Sequence, residues 1–195
     1  MFAGNQSSEM KNAIYISIIT LALAGLGLAQ KSNDVIAKQI KSLKADKAIT
    51  LSYDAGSNAT KIMVTGDNFA ANEAKAAGIQ AMNFGMAFFY VGKELVAPPE
   101  TINFTFWVLT KEPKFAASHG WSSNVAGNAI DLGDARYVAK SGDNLEYLNF
   151  RISRDNLKRI VDAGTAKFRL GAAEFTFTPT QIDTLKAIFA ISESH

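Results

Sequence analysis

Through residues 101–110, apolar and polar positions alternate with a period of two. Ile102, Phe104, Phe106 and Val108 fall on one side, and Asn103, Thr105, Trp107 and Leu109 on the other. Successive side chains of a strand point to opposite faces, so this spacing predicts a strand with one strongly buried face. Residues 83–91 (NFGMAFFYV) have the same strand-forming character. A short connection holding Pro98 and Pro99 joins the two segments, and both read as central strands. Ahead of them, AITLSY and TKIMV flank the turn-rich DAGSNA, which predicts a hairpin. Residues 67–80 are alanine-rich and weakly patterned, a loop or a short helix. Residues 111–127 form the longest irregular stretch. Beyond it, NAIDLG and ARYVA read as short strands around Gly133 and Asp134, and LEYLNFRI as another strand after a Ser141-Gly142-Asp143 turn.

The period changes in the last third. Ser153 or Asp155 caps a helix carrying Leu157, Ile160 and Val161, and Gly164 stands where a left-handed residue ends a helix. AKFRLG and EFTFT predict a hairpin around Gly171-Ala172-Ala173. Thr178, Pro179 and Gln181 then open a capping box: the threonine hydroxyl accepts from a free backbone N–H, Pro179 takes the first helical position, and Gln181 reaches back. Ile182, Leu185, Ile188 and Phe189 form the buried stripe of that helix. Near the other end, Ser32 or Asn33 caps a short helix with Ile36, Ile40 and Leu43 on one side and lysines on the other. It reads as a solvated spacer in preference to a basic patch that touches lipid headgroups. Together these elements predict a mainly β fold, an antiparallel β-sandwich of about seven or eight strands with a few helices including the amphipathic C-terminal one. A single α+β sheet is the alternative.

The chain begins differently. Residues 13–29 (AIYISIITLALAGLGLA) carry no charge and end in Gly27-Leu28-Ala29, the small-residue pattern that signal peptidase accepts, with cleavage before Gln30. The competing reading is a membrane anchor that is retained. Lys31, Lys38, Lys41, Lys44 and Lys47 follow the run and oppose easy export, because positive charge tends to stay cytoplasmic. The expected division is a signal peptide at 1–29, a basic linker or short helix at 30–47, and a β-rich globular domain at 48–191.

Composition narrows the chemistry. Cysteine is absent from the 195 residues, which removes disulfides, thiolate metal sites and cysteine nucleophiles. A net charge of +2, with aromatics not interleaved among Arg and Lys, argues against nucleic-acid binding. The glycines form neither a dinucleotide fingerprint nor a phosphate loop. His119 lies near Ser118, Ser122 and Ser123 with Asp131 and Asp134 beyond, so a hydrolytic triad can be assembled on paper, but GWSSN is not a nucleophile elbow. Asp131, Asp134, Asp143 and Glu146 lack the spacing of a calcium loop. No catalytic, cofactor-binding or metal-binding residue is therefore assigned. The candidate binding loop comprises His119, Trp121, Ser122 and Asn124, with Trp121 as an aromatic anchor. Trp107 is expected to pack under a second layer.

The segments NAIDLGDARY and YLNFRISRDNLKRIVDAGTAKFRLGAAEFTFTPTQIDTL resemble an uncharacterised group of exported bacterial β-rich domains that end in a basic-x-Leu-Gly-x-x-Glu-Phe hairpin and a capped C-terminal helix. The resemblance covers roughly residues 83–190 and rests on Arg169, Leu170, Gly171, Glu174 and Phe175. It implies export and fold, and no catalytic residues. The resulting expectation is an exported binding or accessory domain of the bacterial envelope, periplasmic or secreted, with a protein or glycan partner and no cofactor. A membrane enters only if the N-terminal segment is retained. The alternative is a hydrolase acting on an envelope polymer through the His119 loop.

Overall fold

The computed structural model describes residues 31–43, 48–125, 127–140, 142, 144–164 and 166–193. The expected signal peptide lies outside the described residues. Among them, no helix is long and apolar enough to cross a membrane.

The strands predicted from alternation form an antiparallel six-stranded sheet. In chain order its members are β2 (Ile49–Asp54), β3 (Ala59–Thr65), β4 (Ala81–Val91), β6 (Thr101–Leu109), β9 (Arg136–Lys140) and β10 (Leu145–Ser153), and their spatial order is β2-β3-β4-β6-β10-β9. β4 and β6 are central, as their apolar character requires. A second sheet, in spatial order β12-β11-β7-β8, comprises β7 (Gly120–Val125), β8 (Asn128–Asp134), β11 (Lys167–Leu170) and β12 (Ala173–Thr176). β8 and β9 are nearly continuous in the chain yet belong to different sheets. The chain changes sheet at buried Ala135, whose N–H donates to the His119 carbonyl at 3.2 Å.

The two sheets face each other across an aromatic core. Ring centroids of Phe104 and Trp121 lie 4.6 Å apart, those of Trp121 and Phe150 5.2 Å, and those of Phe106 and Phe168 5.4 Å. Such side chains dominate the burial that drives folding, and here they interlock in tilted, edge-on and offset arrangements. The fold is thus mainly β with a sandwich-like pair of sheets, and the single-sheet alternative fails because the C-terminal hairpin β11–β12 joins β7 and not β10.

Four helices complete the described fold: α1 (Asn33–Lys41), α2 (Ala71–Ala76), α3 (Arg154–Asp162) and α4 (Pro179–Ser192). Ser32, Ser153 and Thr178 cap α1, α3 and α4, each accepting from a backbone N–H in the first turn. The box at α4 also holds the helix down, because Gln181, fully buried, accepts from the Thr178 N–H at 2.8 Å and donates to the Asp67 carbonyl at 3.0 Å. α4 packs on α1, α3 and β3, covering the part of the six-stranded sheet that the smaller sheet leaves open.

One boundary moves. Of the stretch expected at 30–47 as a basic linker or short helix, the described residues 31–43 hold the short helix α1, and they pack into the globule. Ile36 is completely buried, the Gln39 amide donates to the Ala190 carbonyl at 3.0 Å, and the Lys31 ammonium donates to the Glu193 carbonyl. The two-residue strand β1 (Lys31–Ser32) also pairs with β5 (Glu94–Leu95). Two apolar residues four apart, buried against a neighbouring helix, are enough to recruit so short an element.

Candidate functional site

The four residues expected to form one binding loop do not stay together. Residues 111–119 are irregular, but 120–125 are β7, and the period of two sorts its side chains. Trp121 turns inward and is 1% exposed, so it cannot anchor a partner. Ser122 turns outward, as does Asn124, whose Oδ1 accepts from the Gly127 N–H at 3.1 Å and shapes the β7–β8 turn. They line a depression of about 250 Å³ with Lys167, Arg169 and Glu174.

His119 sits at the entry to β7, half-buried. Its Nδ1 shares a hydrogen bond with the Phe115 carbonyl at 3.1 Å, and its ring stacks on Tyr137 with centroids 5.7 Å apart. The hydrogen-bond partner of this ring is a backbone carbonyl, where a hydrolytic dyad would need a carboxylate or a serine.

A charged residue that the sequence did not mark explains this loop. Glu146, on β10, is 2% exposed and points inward. Its carboxylate accepts from the N–H groups of Lys114 and Phe115 at 3.0 Å and from the Tyr137 hydroxyl at 2.9 Å. A buried carboxylate persists only when its lone pairs are matched in this way. These bonds fasten residues 111–119 over one end of the sandwich. Asp131 is occupied differently, accepting from the Gly133 N–H at 2.9 Å in a turn. No group of three or more metal-ligating side chains gathers among the described residues.

Tyr137 reports this arrangement. Burial, then the hydrogen bond it donates to Glu146, then the repulsion of that carboxylate push its phenol up to about 12 from 10.0. The folded value lies above the unfolded one, so the associated stability is fully present below pH 10 and is lost as pH rises towards 12. Ultraviolet titration of tyrosinate is expected to show one tyrosine that ionises near pH 12. Tyr137→Phe should abolish that step; an unchanged curve would contradict the burial and contacts described.

The hairpin that carries the resemblance is also accounted for by the fold. Leu170 and Phe175 are buried, and Arg169 pairs with Glu174 across the strands at 2.8 Å. Gly171 has φ +57°, and a Cβ there would lie 2.5 Å from the Ser118 carbonyl oxygen. Each motif residue thus builds the hairpin or docks it under the 111–119 loop.

What remains unclaimed is the other face of the six-stranded sheet. On β4, β6 and β10 the residues that alternate with the core are half-buried or exposed, except Gly85 beneath the Trp107 ring, so no second layer of the described residues packs on this face. Across the centre run Asn83, Trp107, Tyr147 and Val138, each paired with the next on neighbouring strands. Beside them lies a second row of Gly85, Thr105, Asn149 and Arg136, in which the Thr105 hydroxyl donates to the Asn149 Oδ1 at 2.8 Å. The Trp107 indole lies along the sheet surface over β4, its Cζ3 only 2.8 Å from where a Cβ of Gly85 would stand. A side chain at position 85 would collide with the ring. Asn83 Oδ1, shielded from solvent, has no hydrogen-bond partner.

The expected burial of the two tryptophans is therefore exchanged. Trp107, expected under a second layer, is the partly exposed one, and its place among Asn103 and Thr105 on the polar side of β6 was the signal that pointed to this face. No protein-family model, no curated protein and no solved structure matches this chain.

Proposed function

We propose that this chain is an exported, non-catalytic binding or accessory domain of the bacterial envelope, and that the outer face of the six-stranded sheet is its binding surface. The observation that carries the reading is the aromatic pair Trp107 and Tyr147, adjacent and half-buried on the outer face of the central strands beside a row of polar side chains. Aromatic residues with a polar surround are the usual energetic centre of a recognition surface. The uncharged leader at 13–29 supports export, as does the resemblance in the C-terminal third. Binding is favoured over hydrolysis because the groups suited to chemistry are committed elsewhere: Glu146 to backbone amides, His119 to a carbonyl, Glu174 to Arg169.

Two measurements on the native product test the reading. Intact mass is expected to show a chain beginning at Gln30 in an extracytoplasmic fraction. A cytosolic chain that retains Met1 would overturn export. A photoreactive side chain in place of Trp107 is expected to capture its partner far more efficiently than one in place of Ser122 on the other sheet. Equal or better capture at Ser122 would overturn the choice of face.

A further inference from the structure

We propose that this face takes an acidic glycan, a polysaccharide with carboxylates on its sugar rings; the inference rests on the binding-face reading above. Charge is the first argument. The outward side chains of the six-stranded sheet include Lys61, Arg136 and Arg151, while the carboxylate among them, Asp54, sits in the β2–β3 turn and accepts from Gly56 and Ser57. On the smaller sheet, by contrast, Arg169 is neutralised by Glu174 at 2.8 Å. Among the described residues neither Arg136 nor Arg151, both exposed, forms an ion pair, and Lys61 lies over the Phe89 ring at 5.9 Å, so a chain with a net charge of only +2 carries an excess of cations on the face that holds these half-buried aromatics. Arginine forks match carboxylates in a bidentate manner, so the complementary partner is anionic.

Shape is the second argument. The distal edge of the Trp107 indole covers Gly85, and Tyr147 adjoins Trp107 on the next strand. A protein hot spot typically places a projecting side chain in a pocket. Two neighbouring aromatic rings on a sheet face, with no pocket between them, suit a shallow, weakly apolar surface, and the C–H face of a pyranose is one. The rim of such a ring is polar all round. Thr105 and Asn149 adjoin the indole; the Thr105 hydroxyl donates to Asn149 Oδ1 and the Asn149 amide to the Arg136 carbonyl, which leaves the Thr105 oxygen lone pairs and the second Asn149 N–H for a ligand. A carboxylate on the sugar would fall towards Arg136 and Arg151 beyond them.

Native electrophoresis of the full chain through gels cast with polygalacturonate, poly-glutamate or dextran tests this. Polygalacturonate is expected to retard the chain strongly, and neutral dextran not at all. Trp107→Ala should weaken the polygalacturonate effect about fivefold, as the loss of one aromatic stacking contact implies. The same substitution should leave any slowing by poly-glutamate unchanged. Because Trp107 also covers Gly85, the exposed pair Arg136→Gln with Arg151→Gln provides a variant that leaves the core intact, and it too should lose retardation by polygalacturonate. Equal retardation by both polyanions, insensitive to Trp107, would reduce the effect to net charge and overturn the inference. Absence of retardation while the photoreactive group at position 107 still captures a protein would also overturn it, leaving the binding-face reading standing.

Discussion

Trp121→Ala is expected to lower the unfolding free energy by about 3–5 kcal/mol, the range for removing a large aromatic from a packed core. The ring touches Phe104, Phe106, Phe150 and Phe168, which come from both sheets, so its removal opens a cavity at their interface. For a chain of this length the melting temperature should fall by roughly 6–20 °C. Trp121→Phe should cost clearly less, for two reasons: the volume change is smaller, and the indole N–H, which has no hydrogen-bond partner, is removed with it. Urea denaturation of the two variants checks this. A loss below about 1 kcal/mol for Trp121→Ala would contradict the inter-sheet packing.

Glu146→Gln should cost about 2–4 kcal/mol, although it changes a single atom. The carboxylate accepts from two backbone N–H groups and a phenol through charge-assisted bonds, which are about twice as strong as neutral ones. Glutamine keeps one oxygen and turns an N–H donor towards groups that are themselves donors. The loss should concentrate in residues 111–119, so amide hydrogen exchange at Lys114 and Phe115 is expected to accelerate more than exchange in the central strands. Uniform acceleration across the sheets, or none, would show that Glu146 does not fasten this loop.

Both predictions turn on residues that the sequence left ambiguous. Trp121 lies in a stretch of glycine, serine and asparagine with no strand periodicity, and it becomes a core residue because β7 pairs with β11 and β8. Glu146 stands in the apolar-facing register of LEYLNFRI, alternating with Leu145 and Tyr147, and a charge there reads locally as an interruption of the strand. Its partners arrive from a loop more than thirty residues away and from the next strand. The binding surface was obscured in the same way. Trp107 could be assigned to the side of β6 opposite the main stripe, but whether that side is covered depends on where the helices pack.

Local spacing determined what it could determine. The alternation of 101–110, the caps at Ser153 and Thr178 and the left-handed Gly164 are properties of a few consecutive residues, and the structure places each where that local physics puts it. Tertiary structure alone decided which sheet each strand joins, that 31–43 belongs to the globule, and which face of the larger sheet stays open. Those outcomes depend on the burial of groups far apart in the chain, and a period of two names two faces without saying which one meets water.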